Sequence, residues 1–360
     1  MNMGTRRKRV TLTAFALTSV AALTMQVAFL ACARESPVTQ QPAANQVVDQ
    51  FQKNGGVFPG YRRNHAKGVC ISGYFQSDGD AAPYSVAQLL ATGQRTPVVG
   101  RFSIPGTNPY AWDGSTPIRG MALDFLQADG QQWRTAMNAV PVFPVSTPAD
   151  DYEFMQAQQP LPATGNPDPK KLAAFFANHP KANAFRIWDD TTKPSTSFAT
   201  ESYNSLNTFD LVDAKGHRQA VRWSMVPEAM RDSSRAPIDS PDYLNADLHR
   251  RLSQGALRWR LMFVLANARD PIDDAAQAWP ADRRQINAGT LVIQASEPQN
   301  VAVCRDINFD PLVLPNGIKP SNDPLLKFRA QAYAESHRRR IRDETQADNA
   351  TRAASSAMKP

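Results

Sequence analysis

Short strand patterns recur along most of this chain, and their even spacing limits its fold more than any other feature. They are found at residues 68–75, 97–103, 121–126, 136–145, 198–203, 208–212, 220–226, 257–266, 290–295 and 301–309. The 28 prolines favour long, irregular connections, because proline cannot donate a hydrogen bond to a sheet. Many short strands of this kind are typical of an antiparallel β-barrel. We therefore predict an α+β fold in which helices surround such a barrel.

Helical patterns are fewer and lie mainly in the second half of the chain. Residues 168–178 and 242–252 have helical spacing of their apolar residues. A third helix is predicted after Asp323-Pro324, which form an N-cap and first-turn pair. Residues 213–216 (Asp-Ala-Lys-Gly) predict the turn of a hairpin. Helices gathered in this way are expected to pack around the barrel rather than between its strands.

Residues 1–33 are predicted to be a targeting segment. Four basic residues at 6–9 precede an uncharged run over 10–33, and the small residues at 31–33 (Ala-Cys-Ala) suit cleavage by a signal peptidase. Three outcomes remain open: cleavage after residue 33, retention as a membrane anchor, since the run is long enough to span a bilayer, and lipidation of Cys32. Each outcome predicts an exported protein that is periplasmic or anchored facing the periplasm.

The remainder divides into a polar linker at 34–48, one folded domain at 49–345 and a flexible tail at 346–360. The formal net charge is +7, and four of those charges lie in the targeting segment, which leaves +3 for the rest. This surplus is small, and no stripe of basic and aromatic residues accompanies it. We therefore predict that the protein does not bind nucleic acid.

Two cysteines, Cys70 and Cys304, lie outside the targeting segment. No C-x-x-C or C-x-x-C-H motif occurs, which argues against a zinc ribbon and against covalently attached haem. In an oxidising compartment the two cysteines could form a disulfide. Two separate buried thiols are an equally good interpretation of the sequence.

The last predicted helix carries the residues that point most directly to chemistry. Arg329, Tyr333, His337 and Arg340 recur at i, i+4, i+8 and i+11, which places them on one face. A guanidinium one turn from a phenol favours the charged phenolate, and a tyrosine phenolate can bind the ferric iron of haem. The helix alone also allows a core tyrosine. We expect His337 to be structural and residues 338–342 to be a solvated basic run, apart from Arg340.

Six stretches, in chain order, resemble the catalase superfamily. They are Arg62-x-x-His65-Ala-Lys-Gly, Arg101-Phe-Ser103, residues 119–123 (Arg-Gly-Met-Ala-Leu), Trp133 with Asn138 and Pro141, residues 308–311 (Asn-Phe-Asp-Pro), and Arg329-x-x-x-Tyr333. The shorter length, Asn64 before the histidine and the lack of paired aromatics at 143–146 resemble the small, exported catalase-related peroxidase branch. The resemblance implies a catalase-like antiparallel β-barrel with surrounding helices and a buried haem b.

The resemblance also implies which residues would hold that cofactor. Tyr333, as a phenolate, would be the axial ligand of the haem iron, and Arg329 would stabilise its negative charge. Arg62, Arg101 and Arg340 would pair with the two haem propionates, because planar guanidinium groups suit carboxylates.

On the opposite haem face, the resemblance assigns the acid–base chemistry to His65. His65 would take a proton from bound peroxide and return it to the outer oxygen, which makes water the leaving group. Asn138 would donate a hydrogen bond to the peroxide. Ser103 would orient the imidazole ring and fix its tautomer.

The implied function is a haem-dependent peroxidase. It would reduce hydrogen peroxide or organic hydroperoxides with an external, unidentified electron donor, through an oxidised (ferryl) haem. Three alternatives stay open: a true catalase, an enzyme that rearranges lipid hydroperoxides, and a haem carrier without turnover. The pair His65 and Asn138 disfavours the carrier, which would not need both residues. A membrane anchor and a homo-oligomer are further open expectations.

Overall fold

The computed structural model describes residues 41–230 and 240–357, so the predicted targeting segment lies outside the described residues. The described strands are Gly68–Ser77 (β1), Arg95–Ser103 (β2), Gly120–Leu126 (β3), Gln132–Asn138 (β4), Tyr203–Asn204 (β5), Phe209–Val212 (β6), Arg218–Pro227 (β7), Leu257–Leu265 (β8), Gln285–Pro298 (β9) and Ile318–Pro320 (β10). The described α-helices are Ala44–Gly55 (α1), Pro148–Ala157 (α2), Pro169–Asn178 (α3), Asn183–Thr191 (α4), Tyr243–Gln254 (α5) and Pro324–Ala357 (α6).

The strands form one antiparallel sheet that closes on itself. Its order is β1-β2-β3-β4-β5-β7-β8-β9, and β9 pairs back with β1. Closure occurs at β7, which pairs with β5 and β6 along one edge and with β8 along the other. Strand β10 pairs only with β6, outside the ring. Closure removes the exposed sheet edges within the ring, and it confirms the predicted barrel with surrounding helices.

Alternation of buried and exposed residues explains why the barrel forms. Along β8, every second residue from Leu257 to Leu265 is buried. A strand needs this period of two to bury one face. Trp133, Trp223 and Phe263 lie in the same interior cluster. The barrel interior is therefore a packed aromatic and aliphatic core.

The predicted strand at 136–145 is wrong over most of its length. Strand β4 begins earlier and ends at Asn138. Pro141 and Pro144 follow, and neither can donate to a ladder. The chain therefore leaves the sheet at Asn138, beside the cavity described below.

Two further strand predictions, at 198–203 and 301–309, are also wrong. In the first, the Ser197 hydroxyl accepts a hydrogen bond from the backbone of Ala199 and caps a short 3₁₀ turn, so that only the last residue joins the sheet. The second contains a 3₁₀ turn instead of a strand. Local hydrogen bonding to side chains and carbonyls outcompeted strand propensity in these segments.

Helices α1, α2 and α4 were not predicted from the sequence. Helix α1 begins at Ala44, inside the segment predicted as a linker. Its N-cap residue, Ala43, has no side-chain acceptor, and the Gln46 side chain accepts a hydrogen bond of 2.8 Å from the Ala43 N–H group. Its Val47 and Val48 are buried, and Arg339 of α6 bonds to the Asp49 carboxylate and to Gln52. Helix α6 continues to Ala357, through the segment predicted as a flexible tail. Within the described residues, no helix combines the length and apolarity needed to cross a membrane.

Cys70 and Cys304 form a disulfide, which decides between the two interpretations of these cysteines. Their Cα atoms are 5.6 Å apart, although 234 positions separate them in the sequence. Both side chains are buried. The bond joins β1 to the 3₁₀ turn at Val303–Arg305.

Candidate active site

A large cavity separates the outer face of β2, β3 and β4 from helix α6, and helices α1 and α2 contribute to its walls. Residues of one parity on these strands, such as Phe102 and Met121, point into the barrel core. Residues of the other parity, such as Ser103 and Ala122, line the cavity. The empty space is about 1130 Å³, including the part open to solvent. This size suits a large organic ligand.

Tyr333 lines the cavity from α6, and Arg329 lies one turn before it. The Arg329 guanidinium carbon is 6.0 Å from the centre of the tyrosine ring. Arg329 donates one hydrogen bond to the side-chain oxygen of Asn207 and another, of 2.9 Å, to the carbonyl of Ala136. Asn207 in turn donates to a carboxylate oxygen of Asp323 at 2.7 Å. This chain of contacts holds the guanidinium beside the phenol.

The start of α6 follows the predicted capping pattern. Asp323 is fully buried, and its other carboxylate oxygen accepts a hydrogen bond of 2.9 Å from the backbone of Leu325. A carboxylate there satisfies an otherwise unpaired N–H group and interacts favourably with the helix dipole. Asp323 therefore fixes both the beginning of the helix and, through Asn207, the position of Arg329.

His65 lines the same cavity from the loop before β1. Its φ of 55° lies in the left-handed region, which is costly for a residue with a side chain. The Asn64 side-chain oxygen accepts hydrogen bonds from the backbone N–H of His65 at 2.9 Å and of Gly106 at 2.8 Å. Arg101 donates to the His65 carbonyl at 3.0 Å. These contacts stabilise the strained backbone and fix the ring in the cavity wall.

Ser103 and Gly120 set the environment of the histidine ring. The Ser103 hydroxyl oxygen is 3.0 Å from Nδ1 of His65. A Cβ atom at Gly120 would lie 2.8 Å from that hydroxyl oxygen and 3.1 Å from Nδ1. A side chain at this position of β3 would therefore displace the hydroxyl group or the ring.

Burial, together with the positive charges of Arg101, Arg329 and Arg62, lowers the pKa of His65 to about 3. An imidazole with this pKa is neutral at physiological pH. When Nδ1 carries the ring proton and donates a hydrogen bond to the Ser103 hydroxyl oxygen, the Nε2 atom has a free lone pair. Within the described residues Nε2 has no protein partner, so it is available to a ligand as a base.

Asn138 lies at the end of β4, where its backbone pairs with Gly120 on one side and Asn204 on the other. It lines the cavity together with His65. Among the described residues its side-chain amide has no hydrogen-bond partner. The structure thus brings His65, Ser103 and Asn138, which the resemblance implies as site residues, to one cavity.

Three guanidinium groups, of Arg62, Arg101 and Arg340, line another part of the cavity. Arg62 donates through Nη2 to the carbonyls of Cys304 and Ile307, at 3.0 and 2.8 Å. Burial lowers the pKa of each of the three groups, and Arg340 lowers those of Arg62 and Arg101 further. Like charges this close favour a shared anionic ligand.

Arg340 differs sharply from its neighbours in α6. It is 2% exposed, and its Nε and Nη1 atoms are buried without a hydrogen-bond partner in the described part of the chain. Arg338 and Arg339 instead form ion pairs with Glu335. His337 lines the cavity, and its Nε2 lies 3.2 Å from the carbonyl oxygen of Asp306.

These groups fit haem. Buried donors without partners, on Arg340 and on Nε of Arg101, require an acceptor such as a carboxylate. The Tyr333 phenol supplies a ligand for ferric iron. Apolar residues of α1, of α6 and of the segment before α2, with Val47, Phe328 and Phe143 among them, line the remainder. A flat, largely apolar macrocycle with two carboxylates matches this combination of groups.

Comparison with known proteins identifies the family of this chain. The family profile described as catalase matches residues 45–352. The chain belongs to the catalase family. It is 37% identical over 304 residues to a catalase-related peroxidase of Synechococcus elongatus, covering 83% of this chain and 88% of that protein. It is 31% identical to a catalase-related peroxidase of Mycolicibacterium paratuberculosis, covering 81% and 93%. These relatives place it in the catalase-related branch of the family.

Solved catalase structures share the fold. A bacterial catalase superposes with a TM-score of 0.69 at 23% identity, covering 78% of this chain and 57% of that one. Catalase A from Saccharomyces cerevisiae gives the same TM-score at 21% identity. The chain therefore spans little more than half the length of these catalases, and the shared part is the barrel with its surrounding helices.

Three residues that line the cavity of this catalase-family chain or hold its lining residues were missed by sequence reasoning. Asn207 holds Arg329, and Gln299 bridges Arg101 to the Ala66 carbonyl. Asp151 is the acidic residue among the described residues that line the cavity, and burial raises its pKa to about 7. No local pattern marks Asn207 or Gln299. For Asp151 the signal would have been the start of α2, because an acidic residue in the first turn is typical of helices.

Proposed function

We propose that this protein is a haem-dependent peroxidase that reduces hydrogen peroxide or organic hydroperoxides with an external electron donor. The observation that carries the proposal is one cavity lined both by the phenol of Tyr333 and by a neutral His65 beside Ser103. Similarity to two proteins named catalase-related peroxidase supports the same activity. A haem peroxidase requires one side chain that binds the iron and another that acts as a base toward the peroxide. This cavity offers both side chains.

The residues that would hold haem b follow from the groups already described. Tyr333 would bind the iron, and the positive charge of Arg329 beside the ring would stabilise the negative charge of the bound oxygen. Arg62, Arg101 and Arg340 would receive the propionates, which would give the unpartnered donors of Arg340 an acceptor. When bound, haem would supply the redox-active iron that the side chains themselves lack.

His65 would perform the proton transfer. Its Nε2 atom can accept a proton from one peroxide oxygen and can return that proton to the other oxygen, which then leaves as water. Ser103 would hold the tautomer that leaves Nε2 free, through the contact at Nδ1. The low pKa of His65 keeps the ring unprotonated before peroxide arrives.

Asn138 would orient the peroxide. Its amide N–H group can donate a hydrogen bond to an oxygen on which negative charge develops, and a donor fixed at the end of a strand needs little reorganisation. The bound peroxide would lie between Asn138 and His65, which line the same cavity.

We also propose that the protein works outside the cytoplasm, in the periplasm or at the outer side of the membrane. The buried Cys70–Cys304 disulfide supports this location, because structural disulfides persist in oxidising compartments. The uncharged run at 10–33, after basic residues, supports export as well.

The decisive experiment compares the wild type with His65→Ala. Purified protein loaded with haemin should oxidise a phenolic donor when peroxide is added, and should release little oxygen without a donor. His65→Ala should lose peroxide reduction while its haem content stays unchanged. Full activity in His65→Ala would refute the assignment, and rapid oxygen release by the wild type without a donor would instead indicate a true catalase.

A further inference from the structure

The disulfide lies next to the predicted cofactor pocket. Cys304 is 0% exposed, whereas Val301 and Val303 beside it are 77% and 72% exposed. The 3₁₀ turn at Val303–Arg305 therefore has few apolar anchors of its own. Its covalent bond to Cys70 ties it to β1, which is a strand of the closed barrel.

The carbonyls of this segment converge on one guanidinium. Nη2 of Arg62 donates to the carbonyl oxygens of Cys304, Arg305 and Ile307, at 3.0, 3.2 and 2.8 Å. The two hydrogens of Nη2 are shared among three carbonyl oxygens. Contacts to three acceptors fix the position of Nη2 closely. Within the described residues, Nε and Nη1 of Arg62 have no hydrogen-bond partner, and the side chain lines the cavity.

The same segment supports the other side of the pocket. Cys70, Cys304 and Phe309 form a buried cluster, and Tyr333 packs against it. The guanidinium carbon of Arg62 lies 5.8 Å from the centre of the Phe309 ring. Displacement of the turn would therefore shift the carbonyls that hold Arg62 and the apolar surface behind Tyr333 together.

We propose that the Cys70–Cys304 disulfide is a positioning element of the cofactor pocket. It fixes the three carbonyl groups that accept hydrogen bonds from Arg62, and these groups orient Arg62 toward a haem propionate. The inference rests on the proposed function, since it concerns retention of the same cofactor. A disulfide also stabilises a fold by restricting the unfolded chain, whatever surrounds it. The two roles differ in one respect, because only the positioning role depends on Arg62.

The test measures the rate at which haemin leaves the folded protein for an excess of apomyoglobin. Four proteins are compared: the wild type, Cys70→Ser/Cys304→Ser, Arg62→Gln and the triple variant. We expect loss of the disulfide to accelerate haemin release about tenfold when Arg62 is present, as for one charge-assisted hydrogen bond. In the Arg62→Gln background, loss of the disulfide should change the rate of haemin release less than about twofold.

Arg340→Gln provides the matched control. Arg340 lines the same cavity but has no hydrogen bond to the turn among the described residues. Loss of the disulfide should therefore accelerate release about tenfold in the Arg340→Gln background as well. Equal acceleration with and without Arg62, or none in either, would overturn the proposal.

Two complications are covered by further measurements. If the serine variants do not fold, the folded wild type and Arg62→Gln are treated with dithiothreitol. Its two thiols give two electrons and two protons to the Cys70–Cys304 bond, which becomes two thiols while the reagent becomes a cyclic disulfide. Haemin release that follows thiol appearance in the wild type but not in Arg62→Gln supports the proposal, and equal release overturns it.

If the wild type retained no haemin, the proposed function would fail separately. The coupling between the disulfide and Arg62 is then measured from the free energies of unfolding of the same four proteins in urea. If the serine variants do not fold, the free energies of unfolding of the reduced and oxidised forms of wild type and Arg62→Gln are compared instead. Non-additive losses support a link between the disulfide and Arg62, and additive losses overturn it.

Discussion

The hydroxyl oxygen of Ser103 lies 3.0 Å from Nδ1 of His65, although 38 positions separate the two residues in the sequence. This contact fixes one ring nitrogen and leaves the other free for peroxide. Replacing Ser103 by Ala should lower kcat about threefold to tenfold, the range expected for one hydrogen bond, while haem content stays constant. Steady-state peroxidase assays measure the change. Ser77→Ala, at a buried serine of β1, is the control and should retain full kcat.

Gly120 is expected to tolerate no side chain. A Cβ atom there would come within 2.8 Å of the Ser103 hydroxyl oxygen and 3.1 Å of Nδ1 of His65. Gly120→Ala should therefore displace the histidine ring and reduce kcat more than Ser103→Ala does, with haemin still bound. Alanine at Gly130, where no atom lies within 4 Å but φ is positive, should affect stability and not kcat. Unchanged kcat in Gly120→Ala would contradict the proposed role of the ring position.

Arg340→Leu should have opposite effects on stability and on cofactor binding. A buried guanidinium with two unpartnered nitrogens is costly, so the free energy of unfolding of protein prepared without haemin should stay constant or rise. Haemin affinity should fall about tenfold or more, since a propionate partner is lost. Urea unfolding and haemin titration measure the two quantities.

Arg339→Leu is the matched control for that substitution. Arg339 pairs with Glu335 and with Asp49 of α1. Its loss should loosen the attachment of α1 and leave haemin affinity close to that of the wild type. A similar fall in affinity in both variants would show that the basic segment, and not Arg340 itself, attracts the cofactor.

Asn207→Ala should disturb the tyrosine side of the pocket. It removes the acceptor of one Arg329 hydrogen bond and the donor to Asp323. A buried carboxylate and a half-buried guanidinium each lose a partner, which should cost about 2–4 kcal/mol of unfolding free energy. The absorption spectrum of the haemin-loaded variant should also change, because the charge beside Tyr333 is no longer held in place. A wild-type spectrum would argue against a role of Asn207 in that contact.

His65 should make stability depend on pH. Burial lowers its folded-state pKa to about 3, whereas an exposed histidine titrates near pH 6.5. Between these values the unfolded chain binds a proton that the folded chain excludes, so stability falls as pH decreases from about 6.5. From pH 7.5 to pH 5 the wild type should lose about 2 kcal/mol more than His65→Gln. Parallel urea curves for the two proteins would contradict the buried, neutral state.

The sequence by itself determined the residue types of the site and the elements that carry them. The period of two in β8 and the capping pair Asp323-Pro324 are local, so they could be read without coordinates. The spacing of Arg329, Tyr333 and Arg340 likewise depends only on helix geometry. These patterns sufficed for the barrel and for the last helix, whereas the cofactor residues were predicted from the resemblance to the catalase superfamily.

Tertiary structure alone decided which distant groups meet. Arg329 and Asn207 are 122 positions apart, and Cys70 and Cys304 are 234 apart. Such contacts follow from how the barrel closes, which no local period encodes. The start of α1 after Ala43, an N-cap residue without a side-chain acceptor, is of the same kind. There, burial against distant elements outweighed local propensity.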